Sequence, residues 1–311
     1  MTTSATVTIE HAALAYLNHL ALRKRNKAKE SSLQTYRSYL RSRILPLIGN
    51  VPLEEFTPLA MKTFIEKLPL APKSVNEIAS LVKQIVRFPK DEQGLPVFPR
   101  VWDSEFLDLP EVKHSEQHAP IVTREQIESA IAKSKETYQV LFALASGAGL
   151  RIGELLSVKL EEDGVSTVFD SSTATIHVRR SMWRGQETST KTEAGARDVE
   201  IPRVLSDFIS SFAGDRKGFL FGNGTSLSAS TARAALNKAV GEGVGWHAFR
   251  RYFVSFRRAQ GMPEDVLKRL VGHASGSDIT SLYNRFGNLP AERREWVERI
   301  GLGFDLPRDA T

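Results

Sequence analysis

The chain has 311 residues with 42 Lys and Arg against 36 Asp and Glu, a formal net charge of +6, and this length predicts two domains that can each bury a core. With 41% hydrophobic and 25% charged residues, it has the composition of a folded globular protein and not of a disordered one. The longest nearly apolar run, Val140–Leu150, is too short to cross a bilayer, the N-terminus has no signal-peptide pattern, and the lack of cysteine excludes disulfides, thiolate nucleophiles and Cys-ligated metals, so a cytoplasmic protein is expected.

The first hundred residues read as helices. His11–Leu22 has an apolar stripe at positions 13, 14, 17 and 20. Ser31 and Ser32 offer an N-cap for a second helix, which Pro46 and Gly49 close. Pro58 opens a third with the stripe Leu59, Phe64, Ile65 and Leu68, and a fourth runs from about Ser74 to Phe88, where Pro89 stops it. Residues 107–122, with Pro110 and Pro120 around a polar stretch, read as a linker. Thr123-Arg124-Glu125-Gln126 matches a capping box and opens the second domain on a helix. A helix over Glu136–Ala145, a small-residue break at 146–149 and a further helix from Arg151 follow. Thr167–Phe169, Thr175–Arg180 and Val199–Ile201 are strand-like, and the chain then returns to helix as far as about Ile300.

Charge is concentrated within Arg23–Arg43, which holds eight bases and one acid, Glu30. A solvated helix face explains such a run equally well, but Thr35, Tyr36 and Tyr39 lie between the bases, and that mixture of donors suits phosphate oxygens. A polyanionic partner is one reading of it.

Three groups of residues could carry chemistry. Gly147-Ala-Gly-Leu-Arg-Ile-Gly153 could be a phosphate loop, but its spacing is not that of a dinucleotide fingerprint and its upstream segment looks helical. In the same stretch Arg151 and Glu154, three apart, place a guanidinium fork beside a carboxylate that could orient it; a surface ion pair is the plain alternative. His247 and Arg250 are again three apart, pairing a proton carrier with an anion holder. Gly272-His273 is followed ten residues later by Tyr283. Singly, each of these is as well explained by packing.

Taken in order, Gly149-Leu-Arg-Ile-Gly-Glu154, Thr190-Lys-Thr192, His247-Ala-Phe-Arg250, Leu270-Val-Gly-His273 and Tyr283 resemble the tyrosine recombinase (phage integrase) family. The resemblance covers about 120–300, and the helical first domain is loosely similar to the family's core-binding domain. The fold it implies is mainly α with a small antiparallel β-sheet. A helical SAM-like core-binding domain (8–106) and the linker precede a mixed α/β catalytic domain (123–311) that ends in an oligomerisation helix carrying Leu289, Trp296, Val297 and Ile300. The first helix near residue 8 implies a simple member without an arm-binding domain. One departure stands out: the family usually places the tyrosine nine residues after the second histidine, and here it is ten.

The resemblance implies site-specific cleavage and rejoining of double-stranded DNA at core sites by a homo-oligomer, expected to be a tetramer, without metal or cofactor. Tyr283 would be the nucleophile, Arg151 and Arg250 the phosphate clamp, Lys191 the general acid, His247 an acid/base and His273 a hydrogen-bond donor to the phosphate, with Glu154 holding Arg151. Thr35, Arg37, Arg41, Arg43, Lys83 and Arg87 are the candidate DNA contacts, and a nucleoid-associated location is expected. A type IB topoisomerase-like enzyme and a DNA-binding protein without cleavage activity are the alternatives.

Overall fold

In the computed structural model, which describes residues 6–113, 120–189, 195–272 and 289–307, the chain divides into two units, Met1–Gln117 and His118–Thr311. The first is helical. Helix α1 (Ile9–Leu22) starts where the Thr8 hydroxyl accepts from the His11 amide, and it buries Ile9, Ala12, Ala13, Tyr16, Leu17 and Leu20. Those positions follow the 3.6-residue period; Leu14 lies off the stripe and is exposed.

Helix α2 (Glu30–Tyr39) is capped by Lys29 without a side-chain bond, so Ser31 and Ser32, expected as caps, lie inside the first turn. A π-helical turn (Leu40–Ile44) carries the chain into the short α3 (Leu45–Ile48). Its wider step, from the Leu45 amide to the Leu40 carbonyl, falls just before Pro46, which has no amide hydrogen to continue the ordinary ladder. Gly49 follows, as the sequence suggests. Helix α4 (Pro58–Glu66) is capped by Thr57 and buries Met61, Phe64 and Ile65, while Leu59 faces solvent. Helix α5 (Pro72–Arg87), with proline in its first turn, buries seven residues from Val75 to Val86. Tyr16 donates to Gln84 at 2.6 Å and Tyr39 to Glu77 at 2.8 Å, tying α1 and α2 to α5.

The expected linker is shorter than its proline pattern suggests. Leu107 is fully buried in the core of the first unit, and Val122 is 1% exposed in that of the second. Asn76 donates to the Pro110 carbonyl at 3.0 Å, so the chain leaves the first unit only after that proline.

The second unit opens on α6 (Arg124–Ala132), and Thr123 and Gln126 form the expected capping box. Helix α7 (Glu136–Ala148) buries every residue from Val140 to Ala148. The break expected at 146–149 therefore begins only at Gly149. Ser146 bonds back to the Phe142 carbonyl at 2.9 Å, and a methyl group on Gly147 would meet Leu205 and Leu302. The small residues serve close packing, which overturns the phosphate-loop reading. Helix α8 (Ile152–Leu156) follows.

A four-stranded sheet holds β1 (Val158–Lys159), β2 (Thr167–Asp170), β3 (Thr175–Val178) and β6 (Arg197–Glu200) in the order β1-β2-β3-β6. The β2–β3 and β3–β6 pairs are antiparallel, and β1 joins in parallel. The hairpin β4 (Arg180–Trp183) and β5 (Gln186–Ser189) lies between β3 and β6 in sequence. Next come α9 (Arg203–Ala213), the small hairpin β7 (Gly222–Asn223) and β8 (Thr225–Ser226), and then α10 (Ala229–Val240), α11 (His247–Ala259) and α12 (Glu264–Val271).

Helix α13 (Pro290–Ile300) packs on its own unit. Arg293 and Glu200, 5% and 1% exposed at their side chains, form an ion pair at 2.6 Å, and the Arg203 amide donates to Glu298 at 2.8 Å. Val297 is fully buried. The sequence leaves open whether the strip Leu289, Trp296, Val297 and Ile300 packs on its own unit or on another copy. In the single chain it lies largely against its own unit, and of its four residues only Leu289 is exposed. The tail continues over α11, where Tyr252 donates to the Gly303 carbonyl at 2.6 Å and Leu302 and Phe304 are buried. Among the described residues no helix is long and apolar enough to cross a membrane.

Candidate active site

The site grows from the end of α7. Gly149 caps that helix in the left-handed conformation, φ 62° and ψ 25°. It turns the chain so that Arg151 becomes the N-cap of α8 in extended conformation. Arg151 and Glu154 thus meet across a helix start and not along a helix face. One carboxylate oxygen of Glu154 accepts the Arg151 amide at 2.9 Å and the other accepts its Nη1 at 2.9 Å.

Glu154 is only 3% exposed, and a second guanidinium reaches it from the sheet. Arg197, the first residue of β6, donates Nη2 to Oε2 at 2.9 Å and Nη1 to Oε1 at 3.2 Å. Burial pulls the Glu154 carboxyl upward, but the bonds and charge of Arg197, followed by those of Arg151, outweigh it and hold the group below the usual carboxylate value. Arg197 also donates Nε to the Leu270 carbonyl at 2.7 Å and Nη1 to the Gly195 carbonyl at 3.0 Å.

Helix α11 supplies the rest. Arg250 is 4% exposed. It donates Nη1 to the Gly149 carbonyl at 2.7 Å and Nη2 to the Val271 carbonyl. Burial, then the charges of Arg151 and Arg197, push its pKa down to about 9. His247, on the first residue of the same helix, is exposed. Partial desolvation and then the charges of Arg250, Arg251 and Arg151 hold its pKa below the usual histidine value, so the neutral ring is the resting form at neutral pH. Two turns beyond Arg250, Arg257 is fully buried, stacks 4.0 Å over Phe253 and donates Nη2 to the Gly147 carbonyl at 3.3 Å.

The structure therefore brings together Arg151, Glu154, Arg250 and His247 of the expected set, while Lys191, His273 and Tyr283 lie outside the described residues. Arg197 was not singled out from the sequence. Its place six residues after Lys191 was visible, but nothing in its neighbours marks a charge that folds inward.

The candidate DNA contacts of the first unit do not form one face. The Thr35 hydroxyl donates back to the Ser31 carbonyl at 3.1 Å, and Arg37 pairs with Glu30 at 2.5 Å. Arg37 and Arg41, four apart, are both exposed. Arg43 is half-buried, as is Lys83, whose pKa burial lowers, and Arg87 is exposed at the end of α5. Residues two apart on a helix point to nearly opposite sides, which separates Arg41 from Arg43.

The site holds at least three guanidinium groups and a histidine around one buried carboxylate, on a mixed α/β unit that follows a helical one. The phage integrase family model matches residues 120–287, and the model for the phage integrase N-terminal SAM-like domain matches residues 16–68. The chain belongs to the phage integrase family.

Among individual proteins it is 22% identical over 209 residues to the integrase of Mycobacterium phage D29, which covers 66% of this chain and 53% of that protein. It is 21% identical over 209 residues to the integrase of Mycobacterium phage FRAT1, covering 66% of this chain and 60% of that one. The chain thus spans just over half the length of the curated relatives it matches. Its fold is shared with the Tn1549 transposon integrase in complex with a circular intermediate DNA, at a TM-score of 0.66 and 19% identity over 94% of this chain and 99% of that one. It is also shared with the lambda integrase tetramer bound to a Holliday junction, at a TM-score of 0.57 and 16% identity over 89% and 81%.

Proposed function

We propose that this protein is a site-specific DNA recombinase that cuts and rejoins strands through a 3′-phosphotyrosyl intermediate. The observation that carries the reading is an excess of positive charge in a desolvated place. Arg151, Arg197 and Arg250 converge around Glu154, and a phosphate in the act of substitution is the anion that such an arrangement suits.

In this reading the Tyr283 oxygen attacks the scissile phosphorus and its proton passes to neutral His247. The bond from phosphorus to the 5′-oxygen breaks, and Lys191 gives that oxygen a proton, leaving a free 5′-hydroxyl and the 3′-phosphate on tyrosine. Arg151 and Arg250 hold the nonbridging oxygens, with His273 as a further donor. The second strand's 5′-hydroxyl reverses the chemistry. Because guanidinium groups neutralise the phosphate, cleavage is expected to persist in EDTA.

The helical unit supplies phosphate contacts along the duplex. Four copies assemble on two paired core sites, as the lambda integrase tetramer does on its junction, and the working location is the nucleoid. The test is a plasmid carrying the DNA that flanks the coding region. A recombinase forms a covalent adduct and exchanges strands between two copies of one site. A topoisomerase-like enzyme relaxes plasmids that lack the site, and a pure binder forms no adduct.

A further inference from the structure

We infer that Arg197 is a positioning residue for Arg151, acting through Glu154; the inference rests on the recombinase reading above. Three observations on the described residues carry it. The Arg197 side chain is 2% exposed and that of Glu154 3%, whereas that of Arg151 is 37% exposed. Arg197 grips both carboxylate oxygens, at 2.9 and 3.2 Å. Its Nε ends on the Leu270 carbonyl at 2.7 Å, the neighbour of the Val271 carbonyl that receives Arg250.

The electrostatic consequence follows from counting charges. A buried carboxylate facing Arg151 alone would form a matched pair with it, and an incoming phosphate would compete with that pair for the guanidinium. Arg197 supplies a second cation that cannot reach solvent. The carboxylate's charge is matched from within, and Arg151, nearer to solvent, keeps a net positive charge for an anion.

The geometric consequence adds to this. A planar fork on both oxygens fixes the carboxylate plane, and that plane fixes the Arg151 amide and Nη1. The third arm ties the assembly to the end of α12, which also holds Arg250, so one side chain sets the spacing of the two phosphate-binding arginines.

A buried pair that serves the fold alone would explain the same contacts, and the test separates the two. Single-turnover cleavage is measured on a duplex with an ordinary scissile phosphate and on one with a neutral methylphosphonate at that position. The methylphosphonate builds up less negative charge and needs less from Arg151. Arg197→Gln keeps a donor and removes the charge; it is expected to slow the phosphodiester on the order of 10²-fold, as for a misplaced reactive group. The same variant is expected to leave the methylphosphonate close to the wild-type rate, and Arg197→Lys, which restores the charge without the fork, to recover part of the loss.

Equal losses on both substrates, or no loss on either, would overturn the assignment. So would failure of both variants to fold at the assay temperature, which would make Arg197 a folding residue. Absence of any adduct with the unmodified protein would instead strike the recombinase reading, so the two failures are distinguishable.

Discussion

Arg197 and Arg250 end on adjacent carbonyls, those of Leu270 and Val271 at the close of α12. One comes from a strand and the other from a helix, and both meet the helix terminus whose partial negative charge suits a cation. Arg250 reaches equally to the Gly149 carbonyl, so the segment presenting Arg151 and the segment leading to Gly272 are braced by one side chain.

That brace predicts a sharp response at Gly149. Its φ is 62°, and a methyl group there would sit 2.6 Å from the Phe253 ring. Gly149→Ala is expected to cost about 1–3 kcal/mol from backbone strain, plus whatever the ring must yield, and to depress cleavage further by displacing Arg151. Denaturant unfolding and single-turnover cleavage check it; an unchanged midpoint with full activity would count against the turn as described.

His247 should titrate below 6.5 in the free protein, because desolvation and then three neighbouring cations disfavour its charged form. The sign follows from linkage. The folded state binds this proton less readily than the unfolded chain, so the contribution to stability is present above 6.5 and is lost as pH falls towards the lower folded value. Binding a phosphate beside the ring should move its pKa up. Histidine NMR titrations with and without DNA measure both shifts; a free-protein value above 6.5 would contradict the electrostatics.

The pair Arg293–Glu200 anchors α13 to β6. Arg293→Met leaves a buried carboxylate without its bidentate partner and is expected to cost about 3–5 kcal/mol, whereas pairing it with Glu200→Leu should return much of that loss. Equilibrium unfolding of the two singles and the double closes the cycle. Additive losses would mean that the pair is not what holds the helix.

Much of this was legible in the sequence. The capping box at Thr123 and the stop at Pro89 follow from local chemistry. Arg151, His247 and Arg250 are instead singled out by their order along the chain, which resembles the family's, since each alone is as well explained by packing. What was not legible depended on partners far away in the chain. Ser31 and Ser32 look like caps until Glu30 extends the helix past them. Gly147 looks like a loop until Leu205 and Leu302 press on it. The apolar strip of α13 does not by itself say which surface the helix meets, and the Arg293–Glu200 pair that holds it to the sheet is invisible to hydropathy. Arg197 belongs with these, since only the fold turns it towards Glu154.

In the first unit the phosphate contribution should show as salt dependence. Arg41→Ala and Arg43→Ala are each expected to flatten the plot of log affinity against log salt by about one unit if the residue meets a phosphate. Arg37→Ala should flatten it less, because Glu30 already engages that guanidinium at 2.5 Å. Filter-binding across a salt series measures all three, and an unchanged slope for a variant would make that residue merely solvated.

The most direct measurement of the central claim is adduct formation by Tyr283→Phe on a nicked duplex that carries the recognition site and traps the cleaved strand. The variant keeps the ring and loses only the phenolic oxygen. The account predicts a denaturation-resistant protein–DNA band with the unmodified protein, no such band with the variant, and nearly equal site-specific binding by both. A full-strength covalent band from Tyr283→Phe would contradict it.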